Sequence, residues 1–394
     1  MKVKRHRILF LSSWYPNRTN PTDGNFNEKF AEAAAIYNDV AAIHVVADKD
    51  ARAPFETDFY TRAGVKTYIW YFRKSSSGSV LSKMINGFKY LRYYLKAYRL
   101  ARKECGKPQL LHLNVLLPAG AVALLFRYIF ALPYVISEHW TGYLPANEVK
   151  QPAPARWISR LIARKAGTIM PVTHNLKEAM IIRGFYNRYE VVPNVVDVKY
   201  FYPEQDTGQN SKKIILHVSH LKDEHKNVSG ILRVIKKLSE QRKDFELKIV
   251  GDGELKPHVS FSKELNLNSD IVSFHGTMST QEIAETMQSS DMFVLFSNYE
   301  NLPCVIIEAF AAGLPVISTD VGGIREHLTP DKGRLIAARD EQALLDAINN
   351  MLDNLTSYNK DALHKYASEN FSYERIGERF TEIYTSVINK ESIV

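Results

Sequence analysis

The sequence predicts an α/β protein made of two doubly wound parallel-sheet domains that face each other across a cleft. Three observations carry this reading. Apolar runs rich in Val, Ile, Leu and aromatic residues alternate with helix-length segments along the whole chain, and near-continuous apolar strands between helices belong to parallel sheets covered on both faces. The segment Pro203-Glu-Gln-Asp-Thr-Gly-Gln-Asn-Ser-Lys-Lys213 has the polar composition of a linker and divides the chain in two. At 394 residues the chain is long for one core and suits two domains.

In order, first-half strands are expected at Ile8–Ser12, Ala42–Val46, Thr67–Phe72, Leu110–Asn114, Tyr134–Ser137, Thr168–Val172 and Tyr189–Val192. Second-half strands are expected at Ile214–Val218, Leu247–Val250, Ile271–Phe274, Met292–Phe296, Val316–Ser318 and Arg334–Ile336. The expected division is a first Rossmann-like domain over 1–203, a second over 204–375 and a last helical segment over 376–394. Ligands of such sheets bind beyond the carboxyl ends of the strands.

Composition narrows the function classes. Apolar content of 45% and charged content of 24% are ordinary for a globular protein. No uninterrupted apolar run is long enough to cross a bilayer. The start, Met1-Lys-Val-Lys-Arg-His-Arg7, is basic, but the apolar residues after it end at Leu11, too soon for a signal-peptide core. Cys105 and Cys304 are the two cysteines, so no disulfide framework is required and a cytoplasmic location is expected. The net charge of +8 is uneven. Residues 1–200 hold 30 Lys+Arg against 14 Asp+Glu, giving +16, and the remainder holds 21 against 29, giving −8. Such asymmetry points to an anionic partner for the first half, or to a basic surface that aids solubility.

Glu300-Asn-Leu-Pro-Cys-Val-Ile-Ile-Glu308 is the most informative stretch. Spacing alone decides nothing, because Glu246/Glu254 and Glu374/Glu382 share it. Context separates the pair: the strand-like Met292–Phe296 precedes it, Pro303 sits where a helix begins, and Gly313-Leu-Pro-Val-Ile-Ser318 starts the next strand. Proline suits a first helical turn, whose free N–H groups and positive dipole end make an anion site. Two carboxylates flanking that site suit a nucleotide sugar, with the diphosphate on the amides, the ribose diol on one carboxylate and hexose hydroxyls on the other.

The surrounding order of motifs resembles the retaining glycosyltransferases of family 4, which have a GT-B-type fold. The matching stretch runs from His275-Gly-Thr through Ser279-Thr-Gln-Glu-Ile-Ala and Ser290-Asp-Met-Phe-Val-Leu-Phe-Ser297. It continues to Glu308-Ala-Phe-Ala-Ala-Gly-Leu-Pro-Val-Ile-Ser-Thr-Asp-Val-Gly-Gly-Ile-Arg-Glu326. The resemblance implies that Glu300 positions the sugar, that Glu308 holds the ribose, and that Asn301, Leu302, Pro303, Cys304 and Val305 bind the donor. It also implies that the last helix crosses back onto the first domain.

The same resemblance places a phosphate clamp on the loop His220-Leu-Lys-Asp-Glu-His-Lys226. Lys226 matches the family lysine, while His220 stands where an arginine is expected. A histidine near its reference pKa is only partly charged at neutral pH, so either His220 is charged there or Lys222 or His225 supplies the cation. Asn227 replaces a glycine and tolerates left-handed backbone. Gly276-Thr-Met278 is expected to present backbone to the nucleotide base, and Gly322-Gly323 reads as a turn. On the first-domain side, Gly24 lies on the loop closing over the donor, Trp14 and Tyr15 are sugar-stacking or core residues, and His139 matches a family histidine that hydrogen-bonds the donor sugar, with Glu138 as its orienting partner. Thr173 reads as a helix N-cap. Val195, in Pro193-Asn-Val-Val-Asp197, replaces a glycine, and the turn is expected to be reshaped.

The implied reaction is retaining transfer of a glycosyl unit from a nucleoside diphosphate sugar to a glycan or lipid-linked acceptor, with no metal and no further cofactor, in cell-surface polysaccharide synthesis. Two other readings stay open. Asp48-Lys-Asp50 is an Asp-x-Asp of the kind that holds a divalent ion in single-domain glycosyltransferases. The fold also serves nucleotide-sugar epimerases and inactive nucleotide-sugar-binding proteins. Finally, residues 83–107 carry eight basic residues and one acid, Glu104. Lys89, Arg92, Lys96, Arg99 and Lys103 fall on one helical face, with Leu91, Tyr94, Leu95 and Tyr98 on the neighbouring one. That predicts either a helix packed on the sheet or a peripheral contact with anionic membrane; nucleic acid finds no role in the cleft chemistry.

Overall fold

The computed structural model describes residues 5–74, 79–204 and 212–391. The first domain opens with β1 (Arg7–Ser12), α1 (Asn25–Tyr37) and β2 (Asp39–Asp48), followed by β3 (Phe55–Arg62) and β4 (Val65–Arg73). It continues through α2 (Val80–Cys105), β5 (Leu110–Asn114), α3 (Ala119–Phe130), β6 (Tyr134–Glu138), α4 (Ala153–Lys165), β7 (Ile169–Pro171) and α5 (His174–Ile182). Its seven strands run in the order β3-β4-β2-β1-β5-β6-β7. β1 and β5 are almost wholly buried along their length, as expected of strands covered on both faces.

The sheet is not purely parallel. β3 pairs antiparallel with β4 through the two-residue turn Ala63-Gly64, both with positive φ, the geometry that matches strand twist in a tight hairpin. Sequence reading missed this strand because Phe-Glu-Thr-Asp-Phe-Tyr-Thr-Arg lies at the edge, largely exposed, and carries no apolar run. Tyr189–Val192, expected as a strand, is not one: Tyr189 makes a single bridge to Ile169.

The second domain contains β8 (Lys213–Ser219), α6 (Asp223–Lys226), α7 (Val228–Gln241), β9 (Phe245–Gly251), α8 (Leu255–Glu264), β10 (Val272–His275) and α9 (Thr280–Gln288). Then come β11 (Met292–Leu295), α10 (Cys304–Ala311), β12 (Val316–Thr319), β13 (Gly333–Ile336), α11 (Glu341–Asp353) and α12 (Lys360–Phe371). Its six strands are all parallel, in the order β10-β9-β8-β11-β12-β13. α7 shows why the pattern folds this way: Val228, Ile231, Leu232, Val234, Ile235 and Leu238, at helical spacing, are all fully buried. α9 starts on a capping box between Ser279 and Glu282.

The last helix, α13 (Tyr373–Glu391), leaves the second domain and lies against α1 of the first. Small residues permit the approach. A side chain at Gly377 would meet the Ala33 carbonyl at 2.3 Å. Polar anchors fix the helix: Tyr384 Oη lies 2.6 Å from His112 Nδ1, and Asn38 donates to Thr381 Oγ1 at 2.9 Å.

Candidate active site

The two sheets present their carboxyl ends to a shared cleft of ≈ 660 Å³. Its floor on the second-domain side is the turn from β11 into α10. Pro303 is the N-cap and Cys304 the first helical residue, one position later than the sequence suggested. The Cys304 and Val305 N–H groups of this first turn have no intrahelical partners, so they offer donors to the cleft these residues line. Burial pushes the Cys304 thiol up to about 11, leaving it neutral and unreactive.

Glu300 is buried and held by Lys226, whose Nζ lies 2.5 Å from Oε1, with His225 Nε2 at 3.5 Å. Burial alone would raise the Glu300 pKa, but Lys226 and His225 outweigh it and bring it down to about 2. Lys226 reaches this position from the short helix α6 rather than from a loop. Asn227, in left-handed conformation at φ 50°, then turns the chain into α7, which is the role expected of an asparagine replacing glycine. His225 is locked as well, stacked on Tyr299 at 4.0 Å and bonded to the Tyr299 carbonyl at 2.6 Å.

His220 lines the cleft. Burial, then Lys226 and His225, lower its pKa, and its Nε2 sits 2.9 Å from His225 Nδ1. A second, half-buried lysine lies in the cleft, and sequence reading missed it. Lys29, on α1 of the first domain, pairs with Glu308 at 2.9 Å. Burial opposes its charge, but Glu308 more than compensates and the pKa is raised. The signal in the sequence was weak: one lysine inside an alanine-rich helix, with its partner 279 residues away.

His139 lies at the end of β6 and lines the cleft opposite Glu300. Its ring packs against Phe26 at 4.2 Å and Phe30 at 5.1 Å, both tilted to it. Burial drives its pKa down to about 3, slightly countered by Asn194. Its Nε2 is itself buried and makes no well-formed hydrogen bond, so a neutral imidazole lines the cleft with one polar atom unpaired. Glu138 is not its orienting partner. That carboxylate accepts from the backbone N–H groups of Leu116, His139 and Trp140, bracing the turn rather than the ring.

Several calls move. Tyr15 is a core residue, its hydroxyl 3.4 Å from Thr67 Oγ1, and Trp14 packs edge-on against Phe26. Gly24 serves the loop through its conformation: at φ 62° it heads α1, and a side chain there would lie 2.5 Å from the Trp14 carbonyl. Gly276 lies just past β10 and does not line the cleft, whereas the following Thr277 and Met278 do. Gly322 is more than a turn residue: a Cβ would sit 2.1 Å from the Glu300 carbonyl oxygen, so its absence lets this turn pack against the Glu300 segment. Val195 avoids positive φ, so the turn is rebuilt without the left-handed residue. Asp48 does not stand as a free metal ligand, because Arg18 grips it at 2.7 Å and the Asp50 N–H donates to it at 2.8 Å. No group of three His, Cys, Asp or Glu among the described residues is arranged to hold a metal ion.

The domains meet through buried polar contacts beside the site. Thr173 caps α5 by accepting from Leu176 N–H and donates to Asn301 Oδ1 at 2.8 Å. Asn301 in turn donates to the His139 carbonyl, and Asn194 donates to the Leu302 carbonyl at 2.6 Å. Asn301 and Leu302 are thus interdomain struts as well as cleft residues.

The profile described as Glycosyl transferases group 1 matches residues 201–369, and that described as Glycosyltransferase Family 4 matches 41–200. The chain belongs to this family. A relative named "Putative teichuronic acid biosynthesis glycosyltransferase TuaC", from Bacillus subtilis, is 24% identical over 95% of this chain and 94% of its own. Sucrose-phosphate synthase from Thermosynechococcus elongatus superposes with a TM-score of 0.76 at 20% identity, over 98% of this chain and 100% of that one. Anabaena HepE in complex with UDP and glucose superposes with a TM-score of 0.73 at 18% identity, over 97% and 100%. The fold of this glycosyltransferase is therefore GT-B, two α/β domains of seven and six strands.

Proposed function

We propose that this glycosyltransferase moves a sugar from a nucleoside diphosphate sugar to a glycan or lipid-linked acceptor, with retention at the anomeric carbon and without a metal ion, in cell-surface polysaccharide synthesis. The observation that carries the reading is the pairing of Glu300 with Lys226 directly before the N-terminus of α10, inside one interdomain cleft. The diphosphate docks on the Cys304 and Val305 amides, where the helix dipole favours negative charge. Lys226 then shares its charge between Glu300 and the phosphate, stabilising the charge left when the glycosidic bond breaks. Glu300, kept ionised by its cations, faces the anomeric centre and counters developing positive charge. Glu308 binds the ribose diol, and His139 donates or accepts through its free Nε2 to a sugar hydroxyl. The UDP and glucose held by HepE and the teichuronic acid biosynthesis named for TuaC support the donor and acceptor classes.

The membrane side of the reading is supported by one face of the first domain. The connection from β1 to β2 moves one way along the sheet, whereas those from β4 to β5, β6 and β7 move the other way. Right-handed crossovers then put α2, α3 and α4 on the face opposite α1 and α13. The neighbours Tyr98 of α2 and Phe130 of α3 stack at 4.6 Å. On α2, Tyr94 and Tyr98 are buried, so the expected apolar face packs inward, while Leu81, Met84, Ile85 and Phe88 at the start of the helix are exposed. Arg92, Arg99 and Lys103 stay on the surface, whereas Lys96 folds over the Phe55 ring at 4.8 Å. Exposed apolar groups among cations suit the interface of an anionic bilayer. Among the described residues, no helix is long and apolar enough to cross a membrane.

The test is a panel of nucleotide sugars with acceptor-dependent release of nucleoside diphosphate, followed by NMR assignment of the product's anomeric configuration. Sugar inversion at a carbon other than the anomeric one, with no acceptor required, would favour the epimerase reading instead.

A further inference from the structure

A second hollow, of ≈ 360 Å³, opens on the first domain between the loop after β6, the start of α4 and the end of α5. Lys150, Arg156, Arg160 and Arg183 line it together with the single acid Glu148. Glu148 is taken by Arg183 at 3.1 Å, and Arg183 also donates to the Tyr143 carbonyl at 2.7 Å. Arg160 is oriented by two bonds to the Arg183 carbonyl. Lys150 and Arg156 make no side-chain hydrogen bond or ion pair with another described residue and are exposed. The hollow thus keeps two uncommitted cations beside two that are already fixed in place.

Its surroundings are apolar. Val149 lines it, and Trp157, Ile182 and Tyr186, each adjacent in sequence to a lining residue, are strongly exposed. The segment that forms its wall also reaches the cleft: Thr141 lines the cleft and Tyr143 lines the hollow. Two residues span at most about 7 Å of chain, so the two sites are near neighbours. α4 lies on the basic, apolar-studded face described above, which gives the hollow access to an interface.

We propose that this hollow binds the phosphate or diphosphate group of an amphiphilic acceptor, with the hydrocarbon leaving across Trp157 and Val149 and the sugar end directed past Thr141 into the cleft. Fixed guanidinium groups bind phosphate oxygens in pairs, and the free Lys150 and Arg156 close on the anion when it arrives. The assignment as an acceptor site rests on the reading of the cleft as a glycosyl-transfer site; the binding of a lipid phosphate does not.

Titration calorimetry on the full chain tests it, with farnesyl diphosphate as probe and saturating UDP occupying the donor side of the cleft. Binding is expected with farnesyl diphosphate and not with farnesol. Lys150→Gln with Arg156→Gln should weaken it roughly tenfold or more, and Arg156→Lys should retain most of it. UDP affinity should be the same in all variants, which shows that they are folded. Unchanged farnesyl diphosphate binding in the double variant overturns the proposal. Inorganic diphosphate binding as tightly as farnesyl diphosphate would make this a free phosphoanion site and overturn the lipid assignment. Failure of wild-type protein to bind UDP would count against the cleft reading alone, and the same comparison without UDP would still decide the hollow.

Discussion

Replacing Lys226 with methionine isolates the electrostatics of the site. Glu300 and Lys226 are both about 6% exposed and in direct contact at 2.5 Å. The Glu300 pKa falls from 4.5 to about 2, and a difference of that size corresponds to about 3 kcal/mol of folding stability. Because the folded value lies below the unfolded one, this stability is fully present above pH 4.5 and is lost as pH falls toward 2. In Lys226→Met, burial, the largest influence on Glu300, loses its main opponent, and the carboxylate's pKa rises above its ordinary value. The variant should therefore be less stable than wild type at neutral pH by about 3–5 kcal/mol, the cost of stranding a buried charge. The deficit should shrink on acidification to about pH 4, because the variant's Glu300 takes up a proton and sheds that cost. Denaturant midpoints read by tryptophan fluorescence across this range measure it. Adding Glu300→Gln to Lys226→Met should restore most of the loss at neutral pH. A deficit that stays constant with pH, or no deficit at all, would refute the buried-pair argument.

Glu300→Ala should chiefly lower turnover and Glu308→Ala chiefly weaken donor binding, each by roughly 30- to 150-fold; Glu246→Ala and Glu374→Ala, at the same spacing elsewhere, should leave steady-state kinetics near wild type. Lys29→Met leaves Glu308 buried without its cation across the domain junction, so stability should fall by about 3 kcal/mol. Glu308→Gln in that background should recover much of it, and absence of recovery would deny the coupling. Transfer activity should survive chelation by EDTA, whereas complete loss restored by manganese would revive a metal-held diphosphate. Co-sedimentation with vesicles should require anionic lipid, weaken with salt and drop when Leu81, Met84 and Phe88 become Ser; equal binding to neutral vesicles would point to a soluble acceptor.

Local, periodic features can be read directly along the chain. Strands such as Leu110–Asn114 and helices such as Val228–Gln241 were legible because burial on both sheet faces, or on one helical stripe, writes its period directly into the residues. The Glu300/Glu308 turn was legible for the same reason: strand, loop, proline and helix are contiguous. The edge strand Phe55–Arg62 was not, since a half-exposed strand needs no apolar run and is defined only by its partner. What tertiary structure alone decided are the partnerships across large sequence distances. Lys29 becomes a site residue only because α1 faces α10. His220 is held below its usual pKa by burial first, and then by Lys226 and His225 beside it. Asp48 is paired with Arg18, and the basic hollow exists because Lys150, Arg156, Arg160 and Arg183 converge from three elements. Charge state and coordination depend on distance and burial through the whole fold, and no pattern along the chain encodes either.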